Sequence, residues 1–391
     1  MRVDKSKWQK KTIGQIGKVI SGSTPRTDNP SNWEDGTHNW VTPAELKGDK
    51  YQGSTQKKIT DTALKTTNLA LMPVGTVLLS SRAPIGKVAI TTEPMYCNQG
   101  FKNIECNASM YNEYLYYYLK YNNDELNRRG NGVTFKEISK KIVEQFPVIV
   151  PSLDEQKGIA AELDALQTMI DGYKSQLQDL DELIMSIFKN TFGEPISNPK
   201  GWEINILENI VSEDCTITYG IVQPGNDVND GIPVVRPVDL IGTYVNKALL
   251  KKVAPEISDS YKRTILKGNE ILICVRGTTG VVSFATEDMK DCNVTRGIVP
   301  LSFGQHNKWF MYWCIKSFEM NNLIQKYTKG ATLKQINIKD LRQLPFPTPP
   351  LELQEQFGKQ AELIETQRAL LNQQISDAKD LMAERMQYYF S

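Results

Sequence analysis

The segment PSLDEQK, residues 151–157, has residue types that a metal-dependent nuclease uses. Asp154, Glu155 and Lys157 loosely resemble a D…E-x-K pattern, in which carboxylates hold a metal ion next to a lysine. However, Ser152 and Glu155 also fit a capping box, a pair of side chains that hydrogen-bond the first turn of a helix. The similar segment PPLELQE, residues 349–355, has no lysine at the corresponding place. The sequence therefore favours a helix start over a nuclease site.

Other catalytic signatures do not occur in the sequence. His38 in GTHNW and His306 in GQHNK lie apart from any Cys or Ser nucleophile motif, which argues against His-assisted hydrolysis. There is no GxxxxGK[ST] phosphate loop and no strand-borne GxGxxG. TPPL at residues 348–351 does not match the Asn/Asp-Pro-Pro-Tyr/Phe motif of adenine methyltransferases. We therefore expect no active site, no metal site and no cofactor in this chain.

The cysteines and the apolar residues bear on the compartment. Six cysteines occur without a C-x-x-C pair, which favours reduced core thiols over disulfides or a zinc site. The start MRVDKSKWQKK has no apolar run behind its basic residues, and eighteen apolar residues never occur in succession. We expect neither a signal peptide nor a membrane span, and therefore a cytoplasmic protein.

Charge is distributed unevenly along the chain. The net charge is only +1, but residues 1–150 carry 21 basic and 14 acidic residues, a net +7. Residues 151–195 are net −6, residues 196–348 net +3, and residues 349–391 net −3. The first segment is therefore compatible with a polyanionic partner, whereas +3 over the third is within ordinary variation.

The sequence repeats itself at an interval of 194 to 198 residues. Trp8 in WQKKTIGQI aligns with Trp202 in WEINILENI. Further matches pair VTPAELKG (41–48) with VRPVDLIG (235–242), SRAPIGKVAI (81–90) with VRGTTGVVSF (275–284), NQGF (98–101) with TRGI (295–298), and TFKEISKKIVEQFPVIVPSLDEQKGI (134–159) with TLKQINIKDLRQLPFPTPPLELQEQF (332–357). A repeat of this length predicts two similar halves. If their long helices pack antiparallel, a near two-fold axis relates the halves as in a dimer made from one chain; the alternative is two independent copies joined by linkers.

Each copy ends in a heptad pattern. In the first copy, apolar residues step by four and three at Ile159, Leu163, Leu166, Ile170, Tyr173, Leu177, Leu180, Ile184 and Ile187. The equivalent positions of the second copy are Phe357, Ala361, Ile364, Arg368, Leu371, Ile375, Ala378, Met382 and Arg385. Four heptads are typical of a coiled coil, and we expect the two helices to pair antiparallel with each other. The acidic first helix can supply partners for the two seam arginines.

The remainder of each copy predicts a mixed α+β domain. TVLLSSR, GKVAITT, EILICVR and TGVVSFAT are typical of strands, and NEYLYYYLKYNNDEL (112–126) and KWFMYWCIKSF (308–318) of helices. Tyr114, Tyr117, Tyr118 and Tyr121 fall at helical spacing, which favours a packed helix face over base stacking. We therefore predict globular domains at residues 1–150 and 196–348, joined by long helices at 151–195 and 349–391.

A short helix is expected before each long helix. Thr134 with Glu137, and Thr332 with Gln335, fit the capping-box pattern. The prolines of QFPVIVP and QLPFPTPP must end this helix, so we expect the chain to pass from them straight into the long helix.

This arrangement resembles the specificity (S) subunit of type I restriction–modification systems. The resemblance covers nearly all 391 residues. Its most specific parts are the two tryptophan starts, the two V-x-P-x-D/E-L segments and the two proline-rich helix entrances.

The resemblance implies that each globular domain is a target-recognition domain that reads one half of a bipartite double-stranded DNA target. It also implies that the helices form an antiparallel spacer, which sets the half-site separation and docks two methyltransferase (M) subunits. Those M subunits bind S-adenosylmethionine and methylate adenine at N6. A separate restriction (R) subunit uses ATP and Mg. The chain itself would be a non-catalytic subunit of the complex.

Within this resemblance we select candidate DNA-binding residues from turns and strand ends. Arg and Gln side chains can bond two atoms of one base edge, whereas Lys mainly anchors phosphate. Candidates for base contacts are the matched pairs Arg82 and Arg276, Gln99 and Arg296, and Thr42 and Arg236, together with Thr278. Candidates for phosphate contacts are Lys87, Lys102, Lys136, Lys334, Arg128 and Arg129. For each residue the alternative is an ordinary exposed or ion-paired side chain.

Two other functions are compatible with the sequence. A stand-alone DNA-binding regulator with a dimer-like coiled coil would bind specifically without help, although the weak charge of the second domain speaks against it. An enzyme with unrecognised catalytic residues would show a metal- or cofactor-dependent activity. A scaffold that does not bind DNA fits the basic first domain least well.

Overall fold

The computed structural model describes residues 4–82, 84–131, 136–330 and 333–391. The chain divides by its contacts into a first unit, Met1–Lys174 with Gln373–Ser391, and a second unit, Ser175–Asn372. Both divisions fall inside long helices, so each unit contains one half of each helix. Within the described ranges, no helix is long and apolar enough to cross a membrane.

The first unit is built on a five-stranded sheet. The strands of the whole unit are β1 (Gln9–Thr12), β2 (Gly17–Ser21), β3 (His38–Val41), β4 (Tyr51–Gln52), β5 (Lys58–Ile59), β6 (Val77–Ser81), β7 (Ile85–Thr91), β8 (Tyr96–Cys97), β9 (Lys102–Cys106) and β10 (Pro147–Val150). Its helices are α1 (Ile13–Ile16), α2 (Asp61–Thr66), α3 (Asn112–Tyr121), α4 (Asn123–Arg128), α5 (Lys140–Glu144) and the first half of α6 (Leu153–Phe192). The sheets run β2-β9-β6-β7-β4, β5-β3-β8 and β1-β10.

Strand β6 and helix α3 form the core of this unit. Every residue of β6 is buried, and α3 packs on β7 with Tyr114, Tyr117 and Tyr118 buried. The hydroxyl of Tyr114 donates to the carbonyl of Ile149 at 2.8 Å. The prediction of a packed tyrosine face is therefore confirmed, with Tyr121 half-buried against Phe390.

The second unit repeats this plan with shorter strands. Its strands are β11 (Ile204–Ile206), β12 (Ile232–Val235), β13 (Lys251–Val253), β14 (Ile271–Cys274), β15 (Val282–Phe284), β16 (Asn293–Val294), β17 (Ile298–Leu301) and β18 (Pro345–Pro347). Its helices are α7 (Leu207–Ile210), α8 (Pro255–Asp259), α9 (Lys308–Lys316), α10 (Phe318–Tyr327), α11 (Ile338–Arg342) and the first half of α12 (Leu351–Phe390). Sheets β15-β14-β17 and β13-β12-β16 correspond to parts of those in the first unit.

Strand pairing confirms the internal duplication. The antiparallel pair β1–β10 has its counterpart in β11–β18, and the parallel pair β3–β8 has its counterpart in β12–β16. The hairpin β6–β7 corresponds to β14–β15. Matched sequence segments therefore occupy matched places in the two sheets.

The short helices begin later than the sequence suggested. Their N-caps are Ser139 and Asn337, whereas Thr134 and Thr332 lie outside the described residues. The backbone of Glu137 exchanges hydrogen bonds with Asn131 at 2.9 and 3.0 Å, which makes it part of an extended bridge. Gln335 pairs with Lys329 in the same way at 2.8 Å. These backbone groups are already paired across the chain, so Glu137 and Gln335 cannot serve in a helix start.

Prolines end both short helices as predicted. Helix α5 stops at Glu144 and α11 at Arg342, ahead of Pro147 and Pro345. The proline segments lead into the long helices at Leu153 and Leu351 as expected, and each first forms a short strand, β10 or β18. The proline segments form two-stranded edge sheets, where a missing amide donor is tolerated.

The long helices pair through the predicted seam. Both are 40 residues long, about 60 Å at 1.5 Å per residue. Within the first unit Ile159, Leu163, Leu166 and Ile170 are buried, and within the second unit Phe188 and Phe192 contact Phe357. Ile187 is only half-buried, because Phe188 takes its place at the end of the seam.

The seam arginines have acidic partners on the other long helix. In the second unit Arg368 pairs with Asp181, and in the first unit Arg385 pairs with Glu162. Later positions on α6 thus meet earlier positions on α12, which is the antiparallel arrangement expected. Carboxylates satisfy the two charges that interrupt the apolar seam.

A buried glutamine fixes the start of each long helix. The side-chain oxygen of Gln156 accepts from the Tyr111 amide at 2.7 Å, and its nitrogen donates to the carbonyls of Ser109 and Pro151. At the equivalent place, Gln354 accepts from the Asn307 amide at 3.0 Å and donates to the Pro349 carbonyl. Because these groups are buried, the bonds fasten each helix entrance to the α3 or α9 helix start.

Candidate nucleic-acid interface

An acid-capped turn holds the V-x-P-x-D/E-L segment of each unit. The Glu45 carboxylate accepts from the Thr42 amide at 3.3 Å, and the Asp239 carboxylate accepts from the Arg236 amide at 2.8 Å. The guanidinium of Arg236 also donates to both oxygens of Asp239, at 3.0 and 2.7 Å. These charge-assisted bonds raise the pKa of Arg236 and hold its side chain in one orientation.

A glycine turn packs against the proline of each acid-capped turn. A Cβ atom placed on Gly100 would lie 3.1 Å from Pro43 Cγ, and one placed on Gly297 would lie 2.5 Å from Pro237 Cγ. Only glycine permits this approach of the two turns. The NQGF and TRGI segments are thereby held against the proline turns.

These contacts bring the matched base-contact candidates together within each unit. In the first, Arg82 Nε lies 3.5 Å from the Cβ position of Gly100, next to Gln99 and across from the Thr42–Pro43 turn. In the second, the Arg276 carbonyl oxygen lies 3.6 Å from the Cβ position of Gly297, next to Arg296. We call these the first and second turn clusters: Thr42, Arg82 and Gln99, and Arg236, Arg276 and Arg296.

Strand bridges connect the arginines to two exposed lysines. Arg82 pairs with Glu137 and Arg276 with Gln335 as isolated antiparallel bridges. The neighbouring side chains Lys136 and Lys334 are exposed, and the Gly277 amide donates to the Lys334 carbonyl at 2.8 Å. Each turn cluster therefore has a lysine two residues before a buried isoleucine, at the same structural place.

Two lysine candidates are occupied within the protein. Lys87 donates to the carbonyls of Pro43 and Leu46 at 2.9 and 3.0 Å. Lys102 is buried, donates to the carbonyls of Gln99 and Phe101 and lies 3.6 Å from Glu137. Burial lowers the pKa of Lys102, with Glu137 opposing the shift. Both ammonium groups hold the turns that carry Thr42 and Gln99.

The other candidates differ in exposure. Arg128 and Arg129 both pair with Glu125, at 3.0 and 2.8 Å, and Arg129 also lies over the Phe146 ring. The Arg128 side chain is 74 % exposed, against 36 % for Arg129. Thr278 is exposed at the β14–β15 turn, where its hydroxyl lies 3.5 Å from Cys274 Sγ. Arg128 and Thr278 are thus the more accessible of these side chains.

Sequence reasoning missed two residues beside the turn clusters. The hydroxyl of Thr24 donates to the Gln99 side-chain oxygen. The guanidinium of Arg296 lies 5.9 Å from the Tyr219 ring centroid, and the Tyr219 hydroxyl accepts from Gln335 at 2.9 Å. Thr24 directly precedes Pro25, which was an available turn signal, whereas no local pattern marks Tyr219.

The nuclease-like segment is a helix cap. The Glu155 carboxylate accepts from the Ser152 amide and hydroxyl at 3.0 and 2.8 Å, and from Trp8 Nε1 at 3.3 Å. Partial burial alone would raise the pKa of the Glu155 carboxyl, but these hydrogen bonds lower it below its ordinary value. Within the described ranges, no group of three or more His, Cys, Asp or Glu side chains could hold a metal ion.

Comparison with known sequences identifies the family. The sequence profile described as type I restriction modification DNA specificity domain matches residues 5–181 and 217–378. The chain belongs to this DNA specificity family. The two ranges matched by the profile coincide with the two copies of the repeat. The role of the chain is therefore DNA sequence specificity.

Two relatives of the specificity family match over most of this chain. The type I restriction enzyme MjaIX specificity subunit of Methanocaldococcus jannaschii is 30% identical over 384 residues, covering 90% of this chain and 85% of the relative. The EcoBI specificity subunit of Escherichia coli is 26% identical over 313 residues, covering 73% of this chain and 66% of the relative.

Solved structures agree in fold. One from a study of complex assembly and conformational transition of the type I R-M system has a TM-score of 0.62 at 18% identity and covers 98% of this chain and 97% of that one. The type I S subunit from M. genitalium has a TM-score of 0.55 at 13% identity and covers 99% and 98%. The specificity-subunit fold therefore extends over the whole chain.

Proposed function

We propose that each unit of this chain reads one half of a bipartite DNA target as the non-catalytic specificity subunit of a type I complex. The turn clusters would enter the major groove, where side chains can distinguish all four base pairs. Lys136, Lys334 and Arg128 would contact phosphates and so fix the register of each unit.

The observation that carries the proposal is a repeated scaffold that presents different side chains. Both units have the same acid-capped turn, glycine turn and bridged strand end. At equivalent places the first presents Thr42 and Gln99, and the second Arg236 and Arg296. A carboxamide pairs best with adenine and a guanidinium with guanine. Different side chains on one scaffold would give two half-sites of different sequence.

The long helices would set the number of unread base pairs between the half-sites. Two recognition units joined by one helix pair can contact positions about one duplex turn apart, ~34 Å, when both face the same side of the DNA. The pseudo-two-fold repeat would also provide equivalent docking places for two M subunits. On this proposal the M subunits supply S-adenosylmethionine and N6 methylation of adenine, and an R subunit supplies the ATP- and Mg-dependent step.

Genome-wide mapping of N6-methyladenine tests the proposal directly. The host would be compared with and without this chain, while its methyltransferase partner is left intact. We expect one split motif to lose methylation. An unchanged map would contradict the proposal and would point to a stand-alone DNA-binding regulator, which gel-shift selection with the isolated chain would detect.

A further inference from the structure

A surface pocket lies beside the acid-capped turn of the first unit, away from the side chains of the turn cluster. It has a volume of about 470 Å³. The loop after the V-x-P-x-D/E-L segment, the β7 start and the C-terminal end of α3 form its walls. Its lining includes Leu46, Gly48, Gly86, Tyr116, Lys120 and Asn123.

The second unit has the same pocket. Its volume is about 310 Å³, and it lies at the equivalent loop, β15 start and α9 end. Each of the six residues has a counterpart of the same type: Leu240, Gly242, Gly280, Tyr312, Lys316 and Asn321. Two cavities in different units thus share these six residue types, and the second is also lined by Arg368 of α12.

The lysines of the two pockets have the same geometry. Lys120 Nζ lies 3.3 Å from the Tyr116 hydroxyl and 5.1 Å from that ring centroid. Lys316 Nζ lies 3.4 Å from the Tyr312 hydroxyl and 5.1 Å from its ring centroid. Over the described part of the chain, no carboxylate lies within 4.0 Å of either amine. Both lysine side chains are exposed and therefore accessible to a partner, and desolvation beside the tyrosine rings lowers the pKa of both amines.

The pocket walls are fixed by backbone geometry rather than by loose loops. Gly86 and Gly280 have φ of +93° and +89°, a conformation that favours glycine. The side chain of Asn123 reaches the Cβ position of Gly86, and that of Asn321 lies 3.3 Å from the Cβ position of Gly280. A preformed wall of this kind favours binding with little reorganisation.

The retained lining contrasts with the turn clusters. Two of the three turn-cluster positions differ between the units, Thr42 from Arg236 and Gln99 from Arg296, and only the arginine position is the same. The tyrosine, lysine and asparagine of the pocket are all the same in both units. A surface that reads different half-sites must differ between units. A set of side chains that is the same in both suits a partner present in two identical copies, even though the rims of the two pockets differ.

We propose that the two pockets dock two copies of one partner chain, each placing an acidic side chain against Lys120 or Lys316. The proposal rests on the proposed function, in which the M subunit is the partner present twice. The amine at each tyrosine ring would form a charge-assisted hydrogen bond with the partner's carboxylate.

The rim of the second pocket favours a protein over a DNA phosphate. Ile241 is 87 % exposed and Val281 is 37 % exposed, and both line this pocket. The first pocket has Lys47 and Lys87 at these places, and the Lys87 ammonium is held by two carbonyls. Exposed apolar side chains around a charged centre are typical of protein interfaces.

The test uses the full chain with its M subunit. Lys120→Met and Lys316→Met, singly and together, would be compared with Lys→Arg at the same positions. Lys65→Met and Lys326→Met are controls, since both lysines are exposed and lie outside the pockets. Native mass spectrometry gives the number of M subunits bound, titration gives their affinity, and a salt series gives binding of the chain alone to random duplex DNA.

We expect each single Met variant to weaken the binding of one M subunit about tenfold. The double variant should weaken the binding of both M subunits. Arg at either position and the control variants should retain binding. In the unmodified protein, chemical acetylation of Lys120 and Lys316 should be slower in the assembled complex than in the free chain, because the partner covers both amines.

Three results would overturn the inference. The double variant could assemble normally while, in the unmodified protein, both lysines are acetylated equally in the free and the assembled chain. Alternatively, assembly could stay normal while the double variant lowers the salt dependence of DNA binding by about two phosphate contacts, which would make the lysines DNA ligands. Finally, failure of the unmodified chain to bind two M subunits would refute the proposed function, and this inference with it.

Discussion

Glu162 on α6 and Arg385 on α12 form an ion pair in the first unit, with 2.5 Å between Glu162 Oε1 and Arg385 Nε. The hydroxyl of Tyr389, one turn beyond Arg385, donates to the other Glu162 oxygen at 2.7 Å. Partial burial of the carboxyl opposes the shift, but these bonds lower the Glu162 pKa from 4.5 to about 2. The helix seam thus contains a carboxylate whose ionised form is stabilised by the fold.

Replacing Glu162 by Gln should destabilise the protein in a pH-dependent way. A folded pKa below the unfolded one gives stability above pH 4.5 that is lost as the pH falls towards 2. The expected loss at pH 7 is roughly 1–2 kcal/mol, reduced by partial exposure of the pair. Urea unfolding at pH 7, 4 and 3 checks this, with Glu182→Gln as an exposed control on the same helix. An equal difference at every pH would contradict the assignment.

Substitution of the buried glutamines should loosen the helix entrances. Gln156→Leu leaves the Tyr111 amide and the carbonyls of Ser109 and Pro151 without this partner, at a cost of about 2–4 kcal/mol. Gln354→Leu should have a similar effect in the second unit. The midpoint of urea unfolding measures both, and Gln178→Leu on an exposed face of α6 serves as the control. If the unfolding midpoint of the control variant falls as far as that of Gln156→Leu, loss of these hydrogen bonds is not the cause.

A methyl group added at the glycine of either turn cluster should push its glycine turn away from the proline turn. Gly297→Ala should impair reading of the second half-site more than Gly100→Ala impairs the first, since the contacts with proline are 2.5 and 3.1 Å. Gly172→Ala, which meets nothing within 4 Å, is the control. Binding of each variant to duplexes with one altered half-site gives the result. Equal losses for all three glycines would rule out the proposed close approach.

The sequence predicted those features that depend on local pattern. The heptad positions of Leu163 and Leu371 and the cap formed by Ser152 and Glu155 follow from spacing alone, and the structure has them. The cap at Glu137 was wrong because its backbone amide and carbonyl pair with Asn131 and because Arg82, at the end of β6, bridges it from a distant part of the chain, a contact that no local pattern reveals. Lys87 similarly looked like a surface cation, whereas its ammonium group donates to two carbonyls from a loop 41 to 44 residues earlier. Long-range contacts of this kind are set by the tertiary fold.

Substitutions in the turn clusters should change one half-site at a time. Arg296→Ala should relax base preference at one position of the second half-site by about 1–3 kcal/mol and leave the first unchanged. Lys136→Met should instead weaken binding to all sequences and reduce the salt slope by about one. Methylation mapping and a salt series distinguish these effects. Relaxed bases in both half-sites with Arg296→Ala would count against separate reading by the two units.

Lengthening both long helices should change only the spacer. One heptad inserted after Lys174 in α6 and one after Asn372 in α12 keeps the apolar seam in register on both helices. Seven residues add about 10.5 Å to a helix, so the unread stretch should grow by up to ~3 base pairs at 3.4 Å each.

Methylation mapping reads the half-sites and the spacer in one experiment. A heptad in only one helix is the matched control, because it displaces Arg368 or Arg385 from its carboxylate partner and should lower assembly. Altered bases within a half-site, with both helices lengthened, would show that helix length and base reading are not independent. Unaltered half-sites at a new separation would assign the spacer to the helix pair, because the turn clusters are left untouched by the insertions.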